Sequence, residues 1–282
     1  MILSDTFTEE TGLVVVDLRD DAEFASRQLH PRDAGRQMSG LQRLSRAFVE
    51  DPNTILQELV NIAIDLCEAD SAGISIEKPD GTDDSFYNWI AAAGDYEPFF
   101  NAMLPRYPSA CGICLERREA QHFRVGKRFF DILGVEAALV ADGLLLPWFD
   151  GEVRGTIFVI AHSRSQAFDM EDVRMMRTLA NFAAMAMRNR RQQEALVRQA
   201  ELAAAASMAD SLAHKINNPL QSLTNLVYLG GLADEFPDAA ALATAMKPDL
   251  ERLSLLVREL LAVPTAANAR YRTESGSEHS LL

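Results

Sequence analysis

The sequence predicts an α+β chain: an antiparallel sheet with flanking helices, then a long helix and an antiparallel helical hairpin. Three observations predict it. SAGISIEK and SFYNWIAAAG flank Pro79-Asp80-Gly81, and LLLPWF and RGTIFVIA flank Asp150-Gly151, so each pair reads as two strands joined by a reversal. From about residue 170 a helical run meets no Pro or Gly before Pro219. After Gly230-Gly231 and Phe236-Pro237, Asp238 can cap a second helix carrying Leu242, Met246, Leu250, Leu253, Val257 and Leu260 at steps of four and three. Two helices cannot bury such stripes alone, so the hairpin is expected to pair with a second copy as a dimeric four-helix bundle.

In chain order, residues 1–40 show one apolar run, Leu13–Leu18, among charges, and read as an N-terminal arm. Apolar residues at helical spacing start at Leu41 and resume after Asp51-Pro52 in ILQELVNIAIDLCEA, giving two helices or one broken helix up to about Asp70. The first strand pair follows. Residues 92–141 then form a mixed segment longer than ordinary loops, and such insertions tend to be functional. After the second strand pair, the acidic run Asp169–Asp172 suits the positive end of a starting helix. The expected domains are 1–40, 41–190, 191–265 and a flexible tail, 266–282.

Within 41–190, the residues Leu146, Pro147, Gly151, Gly155, Thr156, Ile157, Val159, Phe168, Glu171, Asp172, Leu179, Ala180, Ala184 and Ala186 fall into a characteristic order. A strand closes on Pro, a Gly-bearing hairpin and an apolar strand follow, and Phe precedes an acidic helix start. This pattern resembles the GAF domain, a sensory fold whose members bind cyclic nucleotides, bilins or haem, or bind nothing known. The resemblance names no ligand here, and no cofactor is expected.

Cys111-Gly112-Ile113-Cys114 has the spacing of a metal or redox pair. A zinc site needs four ligands, and His122 is a single further candidate, so buried, reduced core thiols are the favoured reading and no metal is expected. A bilin thioether is disfavoured because neither cysteine is followed by His. Arg106, Arg117, Arg118, Arg124, Lys127 and Arg128 concentrate positive charge in the insertion, where they meet an anionic ligand or simply pair with acids such as Glu116 and Glu119; the second reading is preferred. His30, His162 and His279 read as surface residues.

The hairpin segment carries the sharper signal. His214-Lys215-Ile216-Asn217-Asn218-Pro219-Leu220 resembles the phosphoacceptor box of sensor histidine kinases. At 100° per residue, Leu212, Ile216, Leu220, Leu223 and Val227 share one stripe, while Asp210, His214, Asn217, Asn218, Gln221 and Asn225 fall opposite. His214 is thus expected to face solvent, as a residue that meets a γ-phosphate must. Pro219 removes a helical donor beside it and is expected to loosen the rod.

The resemblance implies that His214 accepts phosphate and that Asn218 orients water when phosphate is removed from a partner. Such kinases place an acid directly after the histidine. Here Lys215 stands there, a fixed cation that cannot act as a base, and Asp210, one turn earlier, is the substitute, or merely solvates the face. Only residues 262–282 follow Leu261, with the single glycine Gly276, so no ATP-binding domain of that family is expected and the phosphoryl group would come from outside.

Composition narrows the partners. Lys and Arg number 27 against 41 Asp and Glu, a net charge of −14, which disfavours wrapping nucleic acid. No run of about 18 apolar residues and no basic N-terminal signal occurs, so no membrane insertion and a cytoplasmic location are expected. Three cysteines are too few for a disulfide framework. The expected function is two-component signalling: a homodimeric GAF sensor whose phosphoacceptor domain exchanges phosphate with a response regulator, a separate histidine kinase or an ATPase subunit. Self-sufficient kinase activity is not expected. The rivals are an inactive dimeric adaptor that docks such a partner, and a GAF ligand or redox sensor with the bundle as mere dimeriser.

Overall fold

The computed structural model describes residues 10–50, 54–151, 153–230 and 239–262. The expected tail 266–282 with His279, Gly231, the Phe236-Pro237 turn and the Asp238 cap lie outside the described residues. The elements are β1 (Leu13–Asp17), α1 (Ala22–Ala25), α2 (Ala34–Glu50), α3 (Ile55–Cys67), β2 (Ser71–Glu77), β3 (Tyr87–Gly94), a 3₁₀ turn (Glu97–Phe99), β4 (Met103–Leu104), α4 (Ala110–Arg117), β5 (Gln121–Val125), α5 (Lys127–Leu133), β6 (Val140–Asp150), β7 (Val153–Ala161), α6 (Met170–Gly230) and α7 (Ala239–Ala262). The chain divides into two units, Met1–Glu194 and Ala195–Leu282.

The first unit is built on a seven-stranded sheet in the order β1-β5-β6-β7-β2-β3-β4, every pairing antiparallel. Both expected strand pairs form, β2 with β3 and β6 with β7, and β2 also pairs with β7. Successive side chains of a strand point to opposite faces, so a strand covered on both sides reads as one apolar run. In LLLPW and TIFVIA that is the case. Leu144, Leu146, Trp148, Ile157, Val159 and Ala161 face a core completed by α3 and the first turns of α6, while Leu145, Phe158 and Ile160 face a second core under α4 and α5.

The expected arm is a correction. Leu13–Asp17 pair in register with Val125–Gln121 as an edge strand, and Leu13 is fully buried in the second core. Five residues between charged flanks are too short to show a strand period, yet the edge of β5 supplies the missing hydrogen-bond partners. The insertion 92–141 is likewise structured, holding the end of β3, the 3₁₀ turn, β4, α4, β5, α5 and the start of β6. Pro147 does not close its strand, because β6 continues to Asp150.

Helix α6 begins with reciprocal capping. The Asp169 carboxylate accepts from the Glu171 N–H at 2.7 Å, and the Asp172 carboxylate accepts from the Asp169 N–H at 3.0 Å. Phe168 and Val173, both buried in the first core, occupy the flanking positions of a hydrophobic staple.

In the second unit α6 continues through Pro219, and α7 likewise contains Pro248. The two helices run antiparallel: Ser222 Oγ donates to Asp249 Oδ2 at 2.6 Å, and further along Gly230 lies against Leu242. Leu212, Ile216, Pro219, Leu223, Leu226 and Leu229 on α6 and Leu242, Met246, Leu253 and Leu256 on α7 are among the covered positions. Four members of the expected stripes are not: Leu220, Val227, Leu250 and Val257 are each about half exposed in the single chain. A stripe wide enough for two seams has only one of them filled by the hairpin itself.

Candidate functional site

The second core of the sheet unit holds a partly open cavity of about 80 Å³ between β-strands and α4, α5 and the β3–β4 segment. Its wall is almost wholly hydrocarbon, with Leu13, Val140, Leu145, Phe158 and Ile160 from the sheet and Phe129 and Phe130 from α5. Gly73 makes room for one of these side chains, since a Cβ there would sit 2.3 Å from Phe158 Cζ. Trp89 lines one side, packed on Phe158 at 4.8 Å and stacked on Tyr96 at 5.7 Å between ring centroids.

Most polar groups at this wall are already engaged. Ser109 Oγ caps α4 by accepting from the Gly112 N–H at 3.3 Å, and the Tyr96 hydroxyl donates to the Ala138 carbonyl at 2.7 Å. Cys111 Sγ accepts from Thr156 Oγ1 at 3.3 Å and from Ser75 Oγ at 3.5 Å. Trp89 Nε1 is buried and without a hydrogen-bond partner among the described residues, as are Trp148 Nε1, Arg32 Nε and Asn88 Oδ1.

The cysteines sit as the favoured sequence reading has them. Cys67, Cys111 and Cys114 are free and buried, and burial pushes each thiol above its ordinary pKa, away from the thiolate that metals and electrophiles need. His122 is no partner to them. Its Nδ1 lies 2.7 Å from Asp21 Oδ2 and its Nε2 2.7 Å from Asp142 Oδ1, so both nitrogens are occupied. The basic residues of the insertion do not converge on the cavity either. Arg106 stacks over Phe86, Arg117 donates to Gln121, Arg118 lies over Phe149 and Arg128 donates to the Glu10 carbonyl.

His122 belongs to a buried chain of charges that the sequence did not disclose. Arg27 Nη1 donates to Asp142 Oδ2 at 2.8 Å and to the Phe168 carbonyl at 2.9 Å, while the Phe168 N–H donates back to Asp142 at 3.1 Å. Desolvation works upward on Asp142 and Asp21. The opposing bonds win, from His122 and Arg27 to Asp142 and from the Phe24 N–H and His122 to Asp21, and hold both carboxyls below the ordinary range. Beside this knot, His30 holds Asp169 through its backbone N–H and its ring Nδ1, and Arg32 donates to Asp172 at 2.6 Å, so the N-terminal segment clasps the start of α6. His30 is half exposed yet engaged. His162, read as a surface residue, is 11% exposed at its side chain and bridges Ser71 Oγ and the Leu139 carbonyl, 2.8 Å from each.

On the second unit's helix α6, the His214 side chain is 77% exposed, with Nε2 3.8 Å from Asp210 Oδ2. Asp210, Asn217, Asn218, Gln221 and Asn225 are all exposed, as is Lys215. The ring is therefore open to an incoming partner, and the Asp210 carboxylate is the acid nearest to it.

No helix among the described residues is long and apolar enough to cross a membrane. Among curated proteins, the sensor histidine kinase ZraS of Klebsiella oxytoca is 35% identical over 99 residues, 33% of this chain, and the chain spans only 21% of that relative. Among solved structures, the GAF domain of a phosphoenolpyruvate-protein phosphotransferase from Coxiella burnetii is similar at 18% identity and a TM-score of 0.45, covering 58% of this chain and 99% of that one. The second GAF domain of DevS from Mycobacterium smegmatis is similar at 22% identity and a TM-score of 0.40, covering 52% and 99%. The family model described as GAF domain matches residues 49–188, which span α3 to the first turns of α6. Residues 49–188 of this chain, just under half of its length, thus match a GAF domain.

Proposed function

We propose that the chain is a two-component signalling protein in which the GAF domain senses a ligand and His214 accepts and passes on a phosphoryl group. The observation that carries this reading is the His214 ring, 77% exposed on a polar helical face inside the sequence His-Lys-Ile-Asn-Asn-Pro-Leu. The similarity to a sensor histidine kinase supports its signal-sensing part. One helix, Met170–Gly230, carries both the closing turns of the sensor and the histidine, which gives a sensed change a covalent route to it.

In the reaction a ring nitrogen bonds to phosphorus as the bond to the leaving oxygen breaks, and the ring's proton must go to a base. Lys215 cannot take it. Asp210, 3.8 Å away on an exposed face, reaches the ring by side-chain rotation and serves as that base. Asn218, exposed one turn beyond His214, orients water when the domain removes phosphate from a response regulator. The half-exposed Leu220, Val227, Leu250 and Val257 support the homodimer, since a second hairpin would cover them. The phosphoryl donor in this scheme is a separate histidine kinase, ATPase subunit or response regulator.

Incubation with a partner histidine kinase and labelled ATP is expected to label the wild-type chain and not His214→Gln. Equal labelling of both would remove the phosphoacceptor role. Lys215 favours one rival, an adaptor that docks a response regulator without chemistry. In that case binding survives His214→Ala and no label moves through the wild type.

A further inference from the structure

We propose that a groove of the sheet unit, between the C-terminal end of α4, strand β6 and helix α6, binds a small organic phosphate monoester through Arg118, Arg177 and Asn181. The groove shares no lining residue with the apolar cavity, and the proposal stands apart from the phosphoacceptor role of His214.

Three elements build the groove. Helix α4 ends at Arg117, and Arg118 caps it, with its guanidinium carbon 5.6 Å from the centre of the Phe149 ring on β6. Arg177 and Asn181 stand four residues apart on α6 and so share one helical face. Pro147 of β6 completes the hydrocarbon part of the wall, and the groove has a volume of about 260 Å³. Arg118, Arg177 and Asn181 are all exposed.

The positive charge here is unspent, in a chain whose net charge is −14. On α6, Arg174 meets Glu171, and Arg188 and Arg191 meet Asp150. Arg177, between them, makes no ion pair or side-chain hydrogen bond among the described residues. Arg118 lays the face of its guanidinium on Phe149, which leaves the N–H groups at its edge without an acceptor among the described residues. Glu119, the acid among the lining residues, is held by Arg19, whose Nη1 lies 3.3 Å from its Oε1.

Two guanidinium forks and an amide select the ligand. Each fork meets two oxygens in a plane. A carboxylate has two oxygens and one charge, which a single arginine satisfies. A phosphate monoester carries nearly two charges on three oxygens at neutral pH and can engage both arginines. Phe149 and Pro147 give the organic part of the ester a surface to cover. A volume of about 260 Å³ exceeds the roughly 150 Å³ that admits benzene into a protein interior, so a ring and a phosphate fit together. A ligand bound there would tie β6 and the end of α4 to α6, the helix that runs on to His214.

Phenyl phosphate, titrated into the full chain, is the probe, with inorganic phosphate and benzoate as comparisons. It is expected to shift the Asn181 side-chain amide resonances and to leave the Trp89 indole, at the apolar cavity, unmoved. In calorimetry, inorganic phosphate, which lacks the ring, and benzoate, which lacks the second charge, are each expected to bind about tenfold more weakly. Arg118→Gln and Arg177→Gln should each weaken phenyl phosphate about tenfold, the scale of one charge-assisted hydrogen bond, with helix content retained by circular dichroism. Arg174→Gln, on the same helix but paired with Glu171, is expected to change nothing. An unmoved Asn181 amide overturns the proposal, and so does an equal loss in Arg174→Gln, which would mean diffuse attraction to the surface. Benzoate or inorganic phosphate binding as tightly as phenyl phosphate overturns the ligand class. Labelling of His214 is read in its own assay, so the two proposals fail separately.

Discussion

At the scale of single residues, the charges around His122 decide how the domain responds to acid. Asp21 and Asp142 have folded pKa values below the ordinary carboxylate value, so each contributes stability that is present above 3.8 and lost as pH falls through its folded value. Asp172 opposes them, because burial raises its pKa and its ionisation costs stability above that point. Arg27 is the cation that cannot be spared: its side chain is 6% exposed beside an Asp142 that is 1% exposed. Arg27→Ala is expected to cost about 3 kcal/mol in urea denaturation at neutral pH, since it takes the fixed cation from a buried carboxylate that keeps only the His122 ring and the Phe168 N–H. A loss under 1 kcal/mol would mean that water reaches the pair. None of this was legible in sequence, because Asp21, Arg27, His122 and Asp142 come from three separated stretches. His214 was legible because its motif is seven consecutive residues whose helical face follows from spacing alone.

At the scale of elements, the sheet illustrates which strands a sequence betrays. β2, β3, β6 and β7 are long enough, or apolar enough on both faces, to show their period, and the Gly-bearing reversals mark their ends. β1, β4 and β5 are five residues or fewer and owe their existence to neighbours that complete their hydrogen bonds. The cavity was hidden for a related reason, since its wall draws on β1, β3, α4, α5, β6 and β7 at once. Gly73 on β2 gives this layer a sensitive point. Gly73→Ala would drive a methyl into the Phe158 ring, and is expected to lower stability by about 1–3 kcal/mol in thermal denaturation and to shift the Trp89 indole resonance, as Phe158 is displaced. An unchanged melting temperature would show that Phe158 has room to move aside.

At the scale of the whole molecule, the hairpin's uncovered leucines and valines bear on assembly. Leu250→Glu with Val257→Glu places two charges on the half-exposed side of α7 without touching the covered Leu253 and Leu256. Sedimentation equilibrium is expected to show a dimer for the wild type and a monomer for the double variant, with helix content retained by circular dichroism. A monomeric wild type would refute the paired bundle. The stripe itself was readable from the sequence, but its split into a seam filled by the hairpin and a seam left over was not, because spacing fixes a side chain's direction and says nothing of what meets it.

The strand Leu13–Asp17 and the clasp at His30 and Arg32 lie ahead of the stretch that the family match covers. Anyone excising 49–188 for expression would unzip β5, strip the floor of Leu13 from beneath the aromatic pocket, and take Arg27 from Asp142, His30 from Asp169 and Arg32 from Asp172. Such a piece should precipitate or bind sheet edge to sheet edge, where one beginning at residue 10 stays dispersed. The natural cut for handling this domain by itself therefore falls well upstream of where the family match begins.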